Sequence, residues 1–264
     1  MIVTIYGDIV EPRGGVLWMG DLISLCGGFG VNESLVRTAV SRLVTKGQLK
    51  GEREGRRSFY GLTPGARDEY HLAAELFFGP ADGDCGWILT HCPDPADQAV
   101  LTRHGFGLLG GHVYAGADRP GQPLLGTVFQ SRALTPSGED LQQLVRTTFQ
   151  LDGIADAYGA FVTRFEPMLA AAEELATQET ALLFRLALVH AYRDIRLRDP
   201  RLPLSVLPDA WPGFAARSLF AELYRRLSAP ADAYIGQHLL ARQGPLPEVP
   251  EAVRHRMEML ASGG

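Results

Sequence analysis

Cationic side chains and small hydroxyl side chains recur at short intervals over residues 34–58. Those in the first part of this stretch are Ser34, Arg37, Thr38, Ser41, Arg42 and Lys46. Those in the second part are Arg53, Arg56, Arg57 and Ser58. Arginine can form two parallel hydrogen bonds with one guanine edge, whereas Ser and Thr can bond to phosphates or to bases. Side chains of these types can therefore bind a polyanion that carries bases.

This positive charge is local, because the chain as a whole is acidic, with a formal net charge of -5 over 264 residues. Residues 1–67 contain nine basic and six acidic residues, whereas the remainder contains 16 basic and 24 acidic residues. Seven of the basic residues lie within 34–57, and they include both lysines of the chain, Lys46 and Lys50. Such a patch on an acidic protein is the electrostatic footprint of nucleic-acid binding. For an isolated run of charge, a solvated surface without a partner is the alternative interpretation.

The apolar spacing predicts the elements that must position these side chains. Apolar residues at helical intervals predict helices over 2–10 and 18–25. Asn32 is typical of a helix N-cap, and a third helix is predicted from about 33 to 46, where Gly47 ends it. Its predicted inner face comprises Leu35, Val36, Ala39, Val40, Leu43 and Val44. The hydroxyl and cationic side chains are left on the outer face.

Residues 48–62 indicate two strands closed by a turn near Glu54 and Gly55, so the arginines of 53–57 lie at the tip of a hairpin. A helix that follows a short turn and carries arginines on its outer face fits the DNA major groove. A hairpin with a cationic tip beside that helix is a wing, placed to contact the phosphate backbone or the adjacent minor groove. The pattern predicts a winged helix-turn-helix DNA-binding domain over residues 1–62.

Several motifs resemble those of the PaaX-like transcriptional repressors, which regulate phenylacetic acid catabolism in bacteria. Near the N-terminus they are Gly14–Gly15 with Trp18, the run from Val36 to Val44, Gly47, and the run from Gly55 to Thr63 with its Arg-Arg-Ser-Phe-Tyr sequence. Further on they are Tyr192–Arg193, Asp199–Pro200, Leu202–Pro203, Leu207–Pro208 and Trp211–Gly213. The resemblance covers nearly the whole chain and is weakest around 116–150.

Downstream of residue 62, residues 63–82 predict a linker helix capped by Thr63. Residues 83–135 indicate strand, helix and three further strands, a small ferredoxin-like α/β domain, and the resemblance implies the same. The second helix of that fold would fall in 118–126, where prolines and glycine predict that it is shortened or lost. Residues 136–264 predict a helical C-terminal domain, with helices over 138–148, 151–173, 178–197, 213–228, 230–241 and 248–261. The predicted fold class is therefore α+β.

The resemblance also implies an acyl-coenzyme A effector, because the inducer of the family is phenylacetyl-coenzyme A. The candidate effector-binding residues are His190, Arg193, Arg196, Arg198 and Trp211. Arginines suit the phosphates of the coenzyme, and Trp211 suits a wall against an aromatic ring. The alternative is structural: Trp211 and the neighbouring prolines would fix a rigid loop, while the arginines would pair with carboxylates and helix ends.

The remaining residues indicate no catalytic site, no metal site and no cofactor. The sequence lacks Gly-x-Ser-x-Gly, Gly-x-x-x-x-Gly-Lys and His-Glu-x-x-His, the motifs of common nucleophile, phosphate and zinc sites. His91, Cys92, His104 and His112 match no metal-ligand spacing, and the three cysteines fit no disulfide framework. With no basic leader and no long apolar run, the sequence predicts a cytoplasmic protein that does not enter a membrane.

Taken together, these features predict a transcriptional repressor that binds double-stranded operator DNA of a phenylacetate operon. An acyl-coenzyme A such as phenylacetyl-coenzyme A is expected to release it, and a homodimer is expected because operators have two half-sites. Two alternatives stay open. One is a metabolic enzyme that uses the winged helix only as a fold, and the other is a module that binds protein through its basic face.

Overall fold

A computed structural model describes residues 1–79, 83–131, 138–171 and 177–261. These residues form α-helices and three antiparallel sheets, which confirms the predicted α+β class. They pack as two compact units, each assembled from separate stretches of the sequence. The first unit comprises Met1–Pro80, Thr163–Asp194 and Arg217–Gly264, and the second comprises Ala81–Val162 and Ile195–Ala216. The domain boundaries expected at 62, 82 and 135 stay predictions.

The first unit begins with a continuous helical segment. α1 (Ile2–Ile5) continues as a π-helical turn (Tyr6–Val10) and then a 3-10 turn (Glu11–Arg13). The next elements are β1 (Val16–Trp18), α2 (Met19–Gly27), α3 (Glu33–Thr45), β2 (Leu49–Glu54), β3 (Arg57–Leu62) and α4 (Pro64–Phe78). Only β1 departs from the predicted order, because the apolar stripe from Trp18 onward was assigned entirely to the second helix.

β1, β3 and β2 form one antiparallel sheet in that order, so the β2–β3 hairpin is held by a third strand. The register pairs Trp18 with Phe59 and Leu49 with Leu62. Gly55 closes the hairpin at φ 58°, a left-handed conformation that glycine adopts without a Cβ clash. The core of this unit includes side chains that are 1% exposed or less, among them Ile5, Ile9, Leu17, Leu22, Val36, Val40, Leu182, Leu186 and Ile235.

α3 contacts this core along a narrow stripe. Val36 and Val40, one turn apart, are each 1% exposed, and Leu43 is half-buried. Leu35 is 59% exposed and Val44 is 40% exposed, so their assignment to the inner face was wrong. At 100° per residue, Leu35 lies about a third of a turn from the Val36–Val40 line, and Val44 lies about a sixth of a turn from it on the other side. The core covers only the side of α3 on which the two valines lie.

The second unit is built on a four-stranded sheet. Its elements are β4 (Trp87–His91), α5 (Pro95–Arg103), β5 (Gly107–Gly110), β6 (Val113–Ala117), β7 (Thr127–Ser131), α6 (Gly138–Thr148) and most of α7 (Leu151–Phe165). The strand order is β5–β6–β4–β7, and every neighbouring pair is antiparallel. Residues 118–126 contain no helix, as their prolines and glycine predict. The last residues of the predicted middle domain, 132–135, lie outside the described residues.

The C-terminal part of the chain is mainly helical. Its elements are α8 (Met168–Ala171), α9 (Gln178–Arg196), a 3-10 turn (Leu204–Val206), α10 (Pro212–His238), β8 (Leu240–Ala241), β9 (Gly244–Pro245) and α11 (Glu251–Ala261). The predicted break between helices at residue 229 was wrong, because α10 continues through Pro230. A proline inside a helix costs one backbone hydrogen bond. The neighbouring Leu227 and Ala231 are fully buried, and this packing stabilises the helix across the proline.

Candidate nucleic-acid interface

α3 presents the predicted outer face to solvent. Asn32 caps the helix, because its side-chain oxygen accepts a hydrogen bond from the backbone N–H of Leu35 at 2.9 Å. The side chains on the opposite side from Val36 and Val40 are all exposed, and they are Ser34, Arg37, Thr38, Ser41, Arg42 and Lys46. The structure therefore gathers the first part of the candidate set on one accessible helix face.

Several polar side chains on this face are held by contacts within α3. Arg37 Nε lies 2.7 Å from Glu33 Oε1, an i,i+4 ion pair in which both side chains are more than half exposed. The hydroxyl of Thr38 donates to the carbonyl of Ser34 at 2.8 Å. An exposed pair of this kind contributes about 0.3–0.5 kcal/mol, so Arg37 can exchange Glu33 for another anion at little cost. Arg42 forms no ion pair with any residue that the structure describes.

The β2–β3 hairpin carries the second part of the set at its tip. Arg53, Arg56 and Arg57 are exposed, and Ser58 is half-buried. The Arg53 Nε donates to the carbonyl of Gly55 at 3.2 Å, across the turn. The Arg57 guanidinium lies over the Trp18 ring, 5.2 Å from its centroid. This cation–π contact orients Arg57 along the sheet, whereas Arg56 extends into solvent.

One cation beside this hairpin was not among the residues predicted from the sequence. Arg242, in the turn between β8 and β9, pairs through Nη1 with Glu52, and its Nε lies 3.7 Å from Glu54. These two glutamates are the acidic residues among the seven basic ones of 34–57. Arg242 therefore offsets negative charge that would repel phosphates from β2. No local pattern could have found this pairing, because 190 positions separate Arg242 from Glu52.

A buried cluster of charged side chains ties the first residues of the chain to the last helices of the same unit. Asp8 and Asp232 supply the carboxylates, and Arg13, Arg185 and Arg256 supply the guanidinium groups. We call these five residues the buried charge cluster. Every member is 5% exposed or less, so its ion pairs are shielded from water. The cluster holds three positive charges against two negative ones.

The Asp8 carboxylate is the most contacted member. Its Oδ2 accepts from Arg185 Nε at 2.9 Å, and its Oδ1 accepts from the Tyr224 hydroxyl at 2.8 Å and from Arg256 Nη1 at 3.2 Å. Burial alone would raise the pKa of Asp8, but the arginines and the Tyr224 hydrogen bond outweigh burial and lower it. Burial and the Asp8 carboxylate raise the pKa of Tyr224 to about 12. Asp8 is thus a carboxylate and Tyr224 a hydrogen-bond donor at neutral pH.

The candidate effector residues separate into two groups. His190 and Arg193 belong to the first unit, where His190 Nδ1 lies 2.9 Å from the Thr4 hydroxyl. Burial, the N-terminus and Arg193 lower the pKa of His190, so the imidazole is neutral near pH 7. Arg193 is half-buried in the wall of a pocket.

Arg196, Arg198 and Trp211 belong to the second unit. Arg196 Nη1 lies 3.2 Å from Asp199 Oδ2, which also accepts from the Tyr158 hydroxyl at 2.6 Å. The Trp211 ring packs edge-on against Tyr158, at 6.1 Å between centroids. Arg196 and Trp211 thus lie at one polar corner around Asp199, which supports the structural alternative for these two residues. Arg198 is exposed.

The described residues give no sign of other site classes. No group of three or more His, Cys, Asp or Glu side chains among them could hold a metal ion. His91 and His112 are 6.0 Å apart between ring centroids, edge to face. Within the same part of the chain, no helix has the length and apolarity needed to span a membrane.

Comparison with known proteins agrees with the class that this helix face and hairpin indicate. Residues 1–66 match the family model described as PaaX-like protein, and residues 149–237 match the PaaX-like protein C-terminal domain. The two matches together cover more than half of the chain. The chain belongs to the PaaX-like family, as the resemblance of its motifs predicts.

A curated relative extends the similarity along almost the whole sequence. The chain is 32% identical over 270 residues to the transcriptional repressor PaaX of Escherichia coli (strain K12), an alignment that covers 94% of this chain and 85% of that protein. Among solved structures, it is similar to the uncharacterized protein Rv0674 from Mycobacterium tuberculosis, with 22% identity and a TM-score of 0.49. That similarity covers 81% of this chain and 89% of the other.

Proposed function

We propose that the protein is a DNA-binding transcriptional repressor and that residues 1–62 act as a winged helix-turn-helix. The observation that carries the proposal is the accessible outer face of α3, where Arg37, Arg42 and Lys46 lie opposite the buried Val36 and Val40. A helix with such a face fits the major groove, where arginine reads guanine edges and hydroxyls contact phosphates. The curated relative is itself named a transcriptional repressor.

The β2–β3 hairpin is the wing in this proposal. Arg53 and Arg56 at its tip contact the phosphate backbone, which gives affinity without sequence preference. Arg242 supports the wing from outside the domain, because it pairs with Glu52 and Glu54 and offsets one of their two negative charges on the strand that approaches the phosphates. Base reading thus belongs to α3 and backbone contact belongs to the wing.

The proposed operator lies in an operon for aromatic-acid catabolism, that of phenylacetate, and the repressor acts on it in the cytoplasm as a homodimer. An acyl-coenzyme A such as phenylacetyl-coenzyme A releases it. Release requires that the effector bind the state with low DNA affinity more tightly than the DNA-bound state. A dimer matches the two half-sites of an operator, and a change in the distance between two α3 helices is enough to lose one of them.

The remaining parts of the chain carry regulation rather than DNA contact in this proposal. The strand order β5–β6–β4–β7, antiparallel throughout, supports a ferredoxin-like fold for the middle of the chain. The acidic excess of residues beyond 67 keeps these parts away from phosphates.

A gel-shift experiment tests the proposal. The full chain is titrated onto its own promoter region and onto random DNA of equal length, at several salt concentrations, with and without phenylacetyl-coenzyme A. We expect tighter binding to the promoter, a steep loss of affinity with salt, and release by the thioester. Arg42→Ala should weaken promoter binding, whereas Arg103→Ala, at an exposed arginine on α5, should leave it unchanged. Salt-insensitive binding, or none, contradicts the proposal and favours an enzyme or a protein-binding module.

A further inference from the structure

The first unit contains a pocket of about 290 Å³ on the inner side of the proposed DNA-binding face. We call it the aromatic pocket, because its walls include the rings of Tyr6, Tyr70, Phe77 and Phe78. Residues of α1, α4 and α9 close most of it. Pockets that bind small molecules are usually about 300–1,000 Å³ and mainly apolar, so the volume of the aromatic pocket is just below the lower end of that range.

One cation lies in the wall of this pocket, and the carboxylate that acts on it among the described residues is that of its sequence neighbour Asp194. The Arg193 side chain is half-buried there, and burial lowers its pKa, although a guanidinium stays charged at neutral pH. The neighbouring His190 is turned to the hydroxyl of Thr4, another residue of the pocket wall. Arg193 is therefore a hydrogen-bond donor available to a ligand oxygen.

The buried charge cluster borders the same pocket and has a positive excess. Asp8 belongs to both, and Tyr70, also in the wall, accepts a hydrogen bond from Arg256 Nη2 at 2.7 Å. Arg185 Nη2 is buried without a hydrogen-bond partner in the described part of the chain. An uncompensated positive charge in a region of low dielectric constant favours a negative or electron-rich group nearby.

The aromatic pocket also touches the end of the proposed reading helix. Leu43 of α3, Gln48 in the following turn and Leu49 at the start of β2 all line it. Lys46, between Leu43 and Gln48 in sequence, is exposed on the DNA side. A ligand that enlarges the pocket therefore pushes on the end of α3 that carries Arg42 and Lys46.

We propose that the aromatic pocket binds an arylacyl group and that its occupation displaces the C-terminal end of α3. The ring packs among Tyr6, Tyr70 and Phe77, and the acyl oxygen accepts hydrogen bonds from Arg193. A free aromatic carboxylate and the acyl head of a thioester share this chemistry. The pocket is too small for a whole coenzyme, so a thioester would leave its coenzyme part outside. This inference rests on the proposed function, because it makes the ligand act through the DNA-reading helix.

Calorimetry on the full chain tests the binding site with three probes, namely phenylacetyl-coenzyme A, phenylacetate and coenzyme A alone. We expect one binding site per chain for at least one arylacyl probe. Comparison of phenylacetyl-coenzyme A with phenylacetate shows whether the ligand is a thioester or a free carboxylate. Arg193→Gln should lower the affinity for that probe by about tenfold or more, the usual cost of losing a charged hydrogen bond. Arg103→Gln on α5 is the matched control. Absence of binding by both arylacyl probes, or equal affinity of the Arg193→Gln and wild-type chains, overturns the inference.

A second variant tests the coupling to α3. Ala73→Phe places a ring in the pocket from α4, so it should abolish arylacyl binding and lower DNA affinity even without ligand. Ala99→Phe, at an exposed alanine of α5, is its control, and thermal unfolding checks that both variants fold. If Ala73→Phe destabilises the chain, Arg193→Gln is the deciding variant: it should keep promoter affinity and resist release by the probe.

The outcomes separate this inference from the proposed function. Promoter binding that the probes never alter, although they bind in the pocket, refutes the displacement of α3 and leaves the DNA-binding function standing. A chain that does not bind the promoter refutes the proposed function, whereas the calorimetric comparison of Arg193→Gln with wild type still decides whether the pocket holds an arylacyl group.

Discussion

Asp8 and Arg185 are 177 positions apart in the chain, yet Asp8 Oδ2 accepts a hydrogen bond from Arg185 Nε at 2.9 Å with neither side chain exposed to solvent. This pair joins the N-terminal helical segment to α9. Because Arg185 also contacts Asp232, at 2.6 Å, the same guanidinium bridges to α10. The position of the N-terminal segment, which contacts α2 and β3, thus depends on residues far from it in sequence.

Asp8→Asn should destabilise the chain strongly. The substitution leaves Arg185 and Arg256 buried with less negative charge to balance them, and removing one partner of a buried ion pair costs about 3–5 kcal/mol. Urea unfolding followed by circular dichroism measures the change. Asp152→Asn is the control, because Asp152 pairs with Arg146 at an exposed position and should cost less than about 1 kcal/mol. Equal stability of the two variants would contradict a structural role of the buried charge cluster.

The Asp8 carboxylate should also make the free energy of unfolding depend on pH in the acid range. Its pKa is lowered in the folded chain, so the unfolded chain binds the proton more readily and stability falls as the pH falls. The stabilisation is complete above the ordinary aspartate pKa of about 3.9 and is lost as the pH drops through the lower folded value. Urea unfolding at a series of pH values from 6 downward measures it. The difference between wild type and Asp8→Asn should shrink below about pH 4; a constant difference argues against a lowered pKa.

Arg42→Ala should weaken operator binding by about 1–3 kcal/mol and affect random DNA much less, as expected for a side chain that reads a base. Arg37→Ala should weaken operator binding in the same way if Arg37 exchanges Glu33 for a base edge when the protein binds DNA. Fluorescence anisotropy with labelled operator and random duplexes measures both. Equal losses on the two duplexes would assign these arginines to phosphates, and no loss at either position counts against α3 as the reading helix.

Arg56→Ala, at the tip of the hairpin, should act differently from Arg42→Ala. Its side chain extends into solvent without a protein partner in the described residues, which suits a phosphate contact. We expect similar losses on operator and random DNA, and a slope of log affinity against log salt that is smaller by about one. A salt titration with both duplexes measures this slope. An unchanged slope would remove the hairpin tip from the interface.

Arg242 and its two glutamates provide a test by double substitution. Arg242→Ala should weaken DNA binding by about 0.5–1 kcal/mol, because Glu52 and Glu54 are left to repel phosphates. In the Glu52→Gln, Glu54→Gln background the same substitution should cost nothing. Anisotropy measurements on all four chains complete the cycle. The same loss in both backgrounds would mean that Arg242 contacts DNA itself.

The α3 face and the hairpin could be predicted from sequence because their signals are local. Asn32 marks the start of α3, Gly47 follows its end, and Gly55 marks the hairpin turn. The exposure of Leu35 and Val44 could not be predicted in this way. Apolar spacing shows which residues could be buried, whereas the width of the buried stripe depends on how much of the helix its neighbours cover.

Contacts between distant parts of the sequence could not be predicted from local sequence patterns. The pairing of Arg242 with Glu52 and that of Asp8 with Arg256 leave no periodic or motif signal at either end. Among the candidate effector residues, sequence proximity suggested one pocket, yet the boundary between the two compact units divides α9 after Asp194, so Arg193 and Arg196 belong to different units. Arg193 lines the aromatic pocket, whereas Arg196, three positions later, pairs with Asp199.

The span of the buried charge cluster also sets when the first unit can complete its folding during synthesis of the chain. Asp8 emerges from the ribosome 248 positions before Arg256, one of its partners. At about 5–20 residues per second, translation leaves that carboxylate without this partner for on the order of tens of seconds. The nascent N-terminal segment therefore cannot complete its packing while the chain is still attached upstream of α11. The first unit therefore reaches its final packing only after α11 has been synthesised, when most of the chain has already left the ribosome.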